Sequence, residues 1–130
     1  MTSPSFLSSS LAVALGGGFG AWLRYGAGRL IGLSGYPFPW ATLGVNLVGS
    51  LAMGLLAGWL ARHGQGGEHW RLLLGVGVLG GFTTFSAFSL ELALMIERGA
   101  LGTAAFYVAV SVLGGVLGLF AGLGLMRVAA

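Results

Sequence analysis

Four long stretches of this chain carry no charged side chain. They are residues 1–23, Leu30–Ala61, Leu72–Leu90 and Gly99–Met126. A bilayer core needs about 20 apolar residues in a helix. The pattern therefore predicts four membrane spans, at about 6–32, 38–62, 70–97 and 101–127. Together they make one four-helix transmembrane domain covering residues 1–130. Alternation with a period of two is absent, so a membrane β-barrel is not supported. The links are Leu33–Pro37, His63–His69 and Arg98–Ala100. Gly32, Ser34, Gly35, Pro37 and Pro39 punctuate the first link, and a residue before Pro disfavours helix. Trp40, Trp59 and Trp70 sit near span ends, where indoles favour the interface. The first stretch reads as a span and not a cleaved signal peptide, because its first ten residues carry no basic side chain.

Composition strengthens this reading. Only 7% of the residues are charged, against roughly 25% in a soluble domain. The charges are six Arg and three Glu, without Lys or Asp. So few charges could not cover a soluble fold of 130 residues. A soluble enzyme and a nucleic-acid binder are both set aside. There is no Cys, hence no disulfide and no thiolate metal site. His63 and His69 flank a Gly-rich loop and read as solvated.

The Arg count gives no orientation. Four spans place Arg62, Arg71 and Arg127 on one side and Arg24, Arg29 and Arg98 on the other. The positive-inside rule is tied. One explanation is accident in an Arg-poor chain. The other is dual topology, with copies inserted both ways, from which an antiparallel homodimer follows naturally. Small-xxx-small pairs at Gly16/Gly20, Gly54/Gly58, Gly77/Gly81 and Gly118/Gly122 allow close helix packing, within or between copies.

Polar groups inside the spans are few and expensive. Thr42, Asn46 and Ser50 share one face of the second span, as a polar track or as interhelical glue. The third span reads Gly80-Gly81-Phe82-Thr83-Thr84-Phe85-Ser86-Ala87-Phe88-Ser89-Leu90-Glu91. Its adjacent Gly and Thr pairs are poor helix formers, which predicts a break in mid-membrane. Freed carbonyls there could hold a cation. Phe82, Phe85 and Phe88 follow at helical spacing, and their ring edges can attract an anion. Glu91 is the one carboxylate well inside a span, a proton site, a cation site or an acceptor near a cavity mouth. Tyr107 and Ser111 lie one turn apart on the fourth span. Arg24 falls inside the first span, where it snorkels or gives a vestibule positive potential.

These motifs together resemble the CrcB or Fluc family of fluoride channels. The matching segments are Gly16-Gly17-Gly18-Phe19-Gly20-Ala21 with Arg24-Tyr25, and Thr42-Leu43-Gly44-Val45-Asn46 with Gly49-Ser50. Gly80 through Ser89 with Glu91, and Tyr107 with Ser111, complete the set in order across all four spans. The resemblance implies an antiparallel, dual-topology homodimer in the inner membrane with two fluoride pores. It implies a structural, untransported sodium ion at the dimer centre, held by backbone carbonyls of Gly80 and Thr83 from both copies. Asn46 would donate to fluoride, and Phe85 and Phe88 would present ring edges. Tyr107 and Ser111 would add polar lining, Thr84 and Ser86 would serve the pore or the break, and Arg24 would lie by a vestibule. Ala87 and Gly115 depart from the family pattern, since relatives can carry hydroxyl residues there.

The physics agrees with that implication. Fluoride is small and strongly hydrated, so a pore must replace its water with close donors and must avoid fixed cations that would hold it. A central cation would offset the cost of an anion in a low dielectric. Two other classes remain. A small four-helix proton-coupled exporter needs a carboxylate in its first helix, and this first span has none. A non-transporting membrane subunit would use the same polar residues only as glue.

Overall fold

The computed structural model describes residues 4–32 and 37–129. Leu33, Ser34, Gly35 and Tyr36, assigned above to the first link, lie outside the described residues. Four helical stretches are long and apolar enough to cross a membrane. They are α1 (Phe6–Gly32), α2 (Trp40–His63), α3 (Glu68–Glu97) and α4 (Leu101–Val128). These bounds fall within about two residues of the sequence reading. α2 begins at Trp40 and not at 38, because Pro37 and Pro39 hold the approach out of helix. The link after α2 is a single 3₁₀ segment, Gly64–Gly67, entered at Gly64 with positive φ. An exposed ion pair, Arg71 to Glu68 at 2.8 Å, ties the first turn of α3.

α3 is irregular. Glu68–Trp70 is α-helical, Arg71–Leu79 winds as a π-helix, and Gly80–Phe82 returns to α. Thr83 (φ −83°, ψ 156°) and Thr84 (φ −149°, ψ 121°) are extended, and α-helix resumes over Phe85–Glu97. The Gly pair at 80–81 is itself helical, so the interruption comes later than its composition suggests. Phe82 consequently stands before the interruption, off the helix that carries Phe85 and Phe88.

This interruption lets α3 change partners. Its first half packs on α1 and α2, and its second half packs on α4 and α2, so the exchange is of α1 for α4. The α1 seam is a backbone-to-backbone contact. A Cβ on Gly20 would collide with the Val78 carbonyl and the Phe82 nitrogen, and one on Gly16 would sit 2.5 Å from Leu73 O. α2 and α4 form the second tight seam, where a Cβ on Gly122 would meet Leu51 O at 2.5 Å. Glycines of the small-residue pairs thus join helices within one chain, where removal of side chains permits close van der Waals contact. The buried core lies on the other side of the interruption: Leu43, Phe88, Met95, Ala104 and Tyr107 pack between α2, the end of α3 and α4.

Candidate functional site

The two extended threonines are braced by side chains. Asn46 of α2 takes both backbone groups of Thr84: its Nδ2 donates to the Thr84 carbonyl at 3.0 Å, and its Oδ1 accepts from the Thr84 N–H at 2.8 Å. Thr84 Oγ1 caps the second half of α3 by accepting from the Ala87 N–H at 3.2 Å, and lies 3.3 Å from Ser86 Oγ. Thr83 Oγ1 donates back to Leu79 O at 2.9 Å. Its methyl fills the space that a Cβ on Gly49 would need, which explains why that position is Gly. From α1, Arg24 Nε donates to the Gly81 carbonyl at 3.1 Å.

These bonds leave a particular remainder. In a continuous helix the Thr84 N–H would close on Gly80 O, and the Ala87 N–H would close on Thr83 O. Both N–H groups instead go to side chains. The carbonyls of Gly80, Phe82 and Thr83 are left without helical partners, while those of Gly81 and Thr84 are taken by Arg24 and Asn46. Oxygen donors of that kind suit a hard cation.

A cavity of about 330 Å³ opens beside the interruption. Asn46, Thr83, Thr84, Phe85, Phe88 and Ser111 are on its wall. Ser111 Oγ is buried and has no hydrogen-bond partner. Phe85 is 79% exposed whereas Phe88 is buried, and their ring centroids lie 5.8 Å apart. Tyr107 is completely buried and stands behind Phe88 with its ring stacked at 4.9 Å. It is off the cavity wall, as is the exposed Ser86. A second cavity, about 210 Å³, is lined by Arg24, Thr42, Thr84 and Ala87 among others.

Glu91 has a definite place. Thr42 Oγ1 donates to Glu91 Oε1 at 2.6 Å, and the Tyr107 hydroxyl donates to Oε2 at 2.7 Å. One carboxylate therefore ties α2, α3 and α4 at the buried core. The structure brings Asn46, Thr83, Thr84, Phe85, Phe88 and Ser111 to one cavity and Arg24 to its neighbour. Sequence reasoning missed two things: that Asn46 spends its amide on the backbone of Thr84, and that Glu91 gathers Thr42 and Tyr107. The signals were present, as an amide near backbone that had lost its helix and a carboxylate needing donors. Their pairing across 38 and 49 positions was not.

Four apolar spans with polar groups gathered at an irregular third helix define a multi-pass α-helical membrane protein. The family described as CrcB-like protein, Camphor Resistance (CrcB), matches residues 11–123, and this chain belongs to it. Among its relatives is a protein of Novosphingobium aromaticivorans named fluoride-specific ion channel FluC. The two are 61% identical over 124 residues, covering 93% of this chain and 98% of the relative. A protein of the same name from Rhodospirillum centenum is 58% identical over 122 residues, covering 92% and 95%. A third, from a Caulobacter strain, is 54% identical over 123 residues, covering 93% and 96%.

Proposed function

We propose that this protein is a passive, fluoride-selective channel of the inner membrane that lets fluoride leave the cytoplasm. It acts as an antiparallel homodimer of dual topology with two pores. The names of the relatives support the channel class, and ion channels are not enzymes. The single structural observation that carries the reading is the cavity holding Ser111 Oγ, a buried hydroxyl with no partner. An unsatisfied donor beside aromatic edges suits a small anion that must exchange its hydration shell for hydrogen bonds.

In this reading the interruption of α3 lies within the bilayer, where irregular backbone survives only against protein or a watery cavity. Asn46 holds Thr84 and offers its second Nδ2 proton to fluoride. Phe85 and Phe88 present ring edges, and Ser111 donates its hydroxyl. Tyr107 backs Phe88, while Thr84 and Ser86 shape the turn that carries Phe85. Arg24 gives the adjacent vestibule positive potential while holding Gly81. Gly80 and Thr83 of two copies would hold a structural sodium ion through their carbonyls. When bound, that ion supplies a fixed positive charge near the anion path. The donor set fits, since both are carbonyl oxygens without helical partners. Glu91 argues against a proton-coupled exporter, because both of its oxygens already accept from hydroxyl groups.

The test is fluoride efflux from liposomes containing the purified protein, read with a fluoride electrode beside a chloride control. Rapid fluoride release dependent on a cation ionophore, with chloride retained, is expected. Phe85→Ile should slow it. No release from a well-folded dimer would overturn the reading.

A further inference from the structure

One more hydroxyl faces this cavity with nothing to bond. Ser50 lies on α2 one turn beyond Asn46 and lines the same cavity as Asn46 and Ser111. Hydroxyls in helices commonly fold back onto the carbonyl one turn earlier. Thr83 and Ser89 do so, each at 2.9 Å. Ser50 Oγ makes no hydrogen bond among the described residues. Across from it, one turn beyond Ser111 on α4, stands Gly115. A Cβ built on Gly115 would lie 3.4 Å from Ser50 Oγ. The absence of a side chain there leaves the Ser50 hydroxyl uncovered from the α4 side.

The cavity therefore holds two successive layers. The first pairs Asn46 of α2 with Ser111 of α4, and the second is Ser50 of α2, faced from α4 by the bare backbone at Gly115, which is itself off the cavity wall. Each layer offers an unspent donor, and neither contains a cation. We propose that Ser50 is a further anion-contacting residue, donating its hydroxyl to fluoride after Ser111, with Gly115 providing the room for the ion. This rests on the channel reading above.

The test uses full-length protein in liposomes. Ser50→Ala should slow fluoride efflux about tenfold, the scale of one hydrogen bond to a charged group. Adding Gly115→Ser to Ser50→Ala should recover much of the rate, because the new hydroxyl attaches beside the missing one. The chain has no Cys, so Ser50→Cys gives a single thiol. Silver ion in chloride-free medium should block that variant and spare the wild type. Efflux of Ser50→Ala at the wild-type rate overturns the proposal, and so does a conducting Ser50→Cys that ignores silver. If Ser50→Ala does not fold, the silver result decides. When the wild type conducts and Phe85→Ile is slow, such a failure concerns Ser50 alone. A wild type that releases no fluoride removes the channel reading and this proposal together.

Discussion

Replacing Asn46 by Ala should damage stability as well as transport, and the two effects are separable. The substitution deletes two hydrogen bonds, at 3.0 and 2.8 Å, and strands the carbonyl and N–H of Thr84. Stranding a buried polar group costs about 1–3 kcal/mol. Hydrogen bonds measured in a membrane protein average nearer 0.6 kcal/mol, because the unfolded chain finds other partners there. Thr84 sits in extended backbone and cannot recover a helical bond without rebuilding the turn, so we expect a loss of about 2–4 kcal/mol. Ser111→Ala is the control. Its hydroxyl has no partner, so its removal should leave stability unchanged or slightly raised while still slowing fluoride efflux. The assay is thermal unfolding in detergent followed by Trp fluorescence, run beside liposome efflux. Asn46→Asp keeps an acceptor for the Thr84 N–H but sets a carboxylate oxygen against the Thr84 carbonyl, so it should recover only part of the loss. Wild-type melting of Asn46→Ala, or melting of Ser111→Ala below it, would refute the bracing role of Asn46.

Three further outcomes are expected. Arg24→Gln should lower stability and efflux together, since it removes the 3.1 Å bond to Gly81 O, and Arg24→Lys should not restore the fold fully because it lacks the guanidinium Nε. Gly20→Ala should cost about 1–3 kcal/mol or more by driving a methyl into Val78 O and the Phe82 nitrogen, whereas Gly18→Ala, with open space around it, should be neutral or stabilising in thermal unfolding. Glu91→Leu should cost about 2–4 kcal/mol by stranding the Thr42 and Tyr107 hydroxyls, with Glu91→Gln costing less because its amide oxygen still accepts one of them; the same melts would check it.

Span number and limits were legible because charge exclusion is a strong, local signal. The 32-residue uncharged run from Leu30 to Ala61 can hold one helix and a link, and Pro37 and Pro39 decide which part is which. The irregularity of α3 was legible as a region but not as a position. Gly80 and Gly81 are poor helix formers, yet both remain helical, and α3 approaches the α1 backbone closely at Gly81, where a Cβ would collide with Gly17 O. The small size of Gly81 serves the seam, and the backbone departs two residues later. The π winding over Arg71–Leu79 had no sequence signal that we could read. Asn46 and Ser111 were legible as costly polar groups, whereas the Thr42, Glu91 and Tyr107 cluster depends on three helices meeting and so lay beyond any single periodicity.

The hydrogen bonds around Thr83 and Thr84 divide the labour of one irregular turn. A helix interruption frees N–H and carbonyl groups together, and each needs a partner or a ligand. Here the N–H of Thr84 goes to Asn46 and that of Ala87 to the Thr84 hydroxyl. Among the carbonyls, Gly81 goes to Arg24 and Thr84 to Asn46. Side chains therefore satisfy two of the freed donors and two of the freed acceptors, and the N–H groups of Phe85 and Ser86 are left over together with the carbonyls of Gly80, Phe82 and Thr83. The carbonyl oxygens left over are acceptors that a cation could share. A cation on those oxygens would lower the cost of an anion nearby, which is the physical reason to tie the sodium proposal to the fluoride proposal. The two should therefore fail together: replacing sodium by a large organic cation during purification and efflux should lower both thermal stability and fluoride release, and unchanged values for both would break that link.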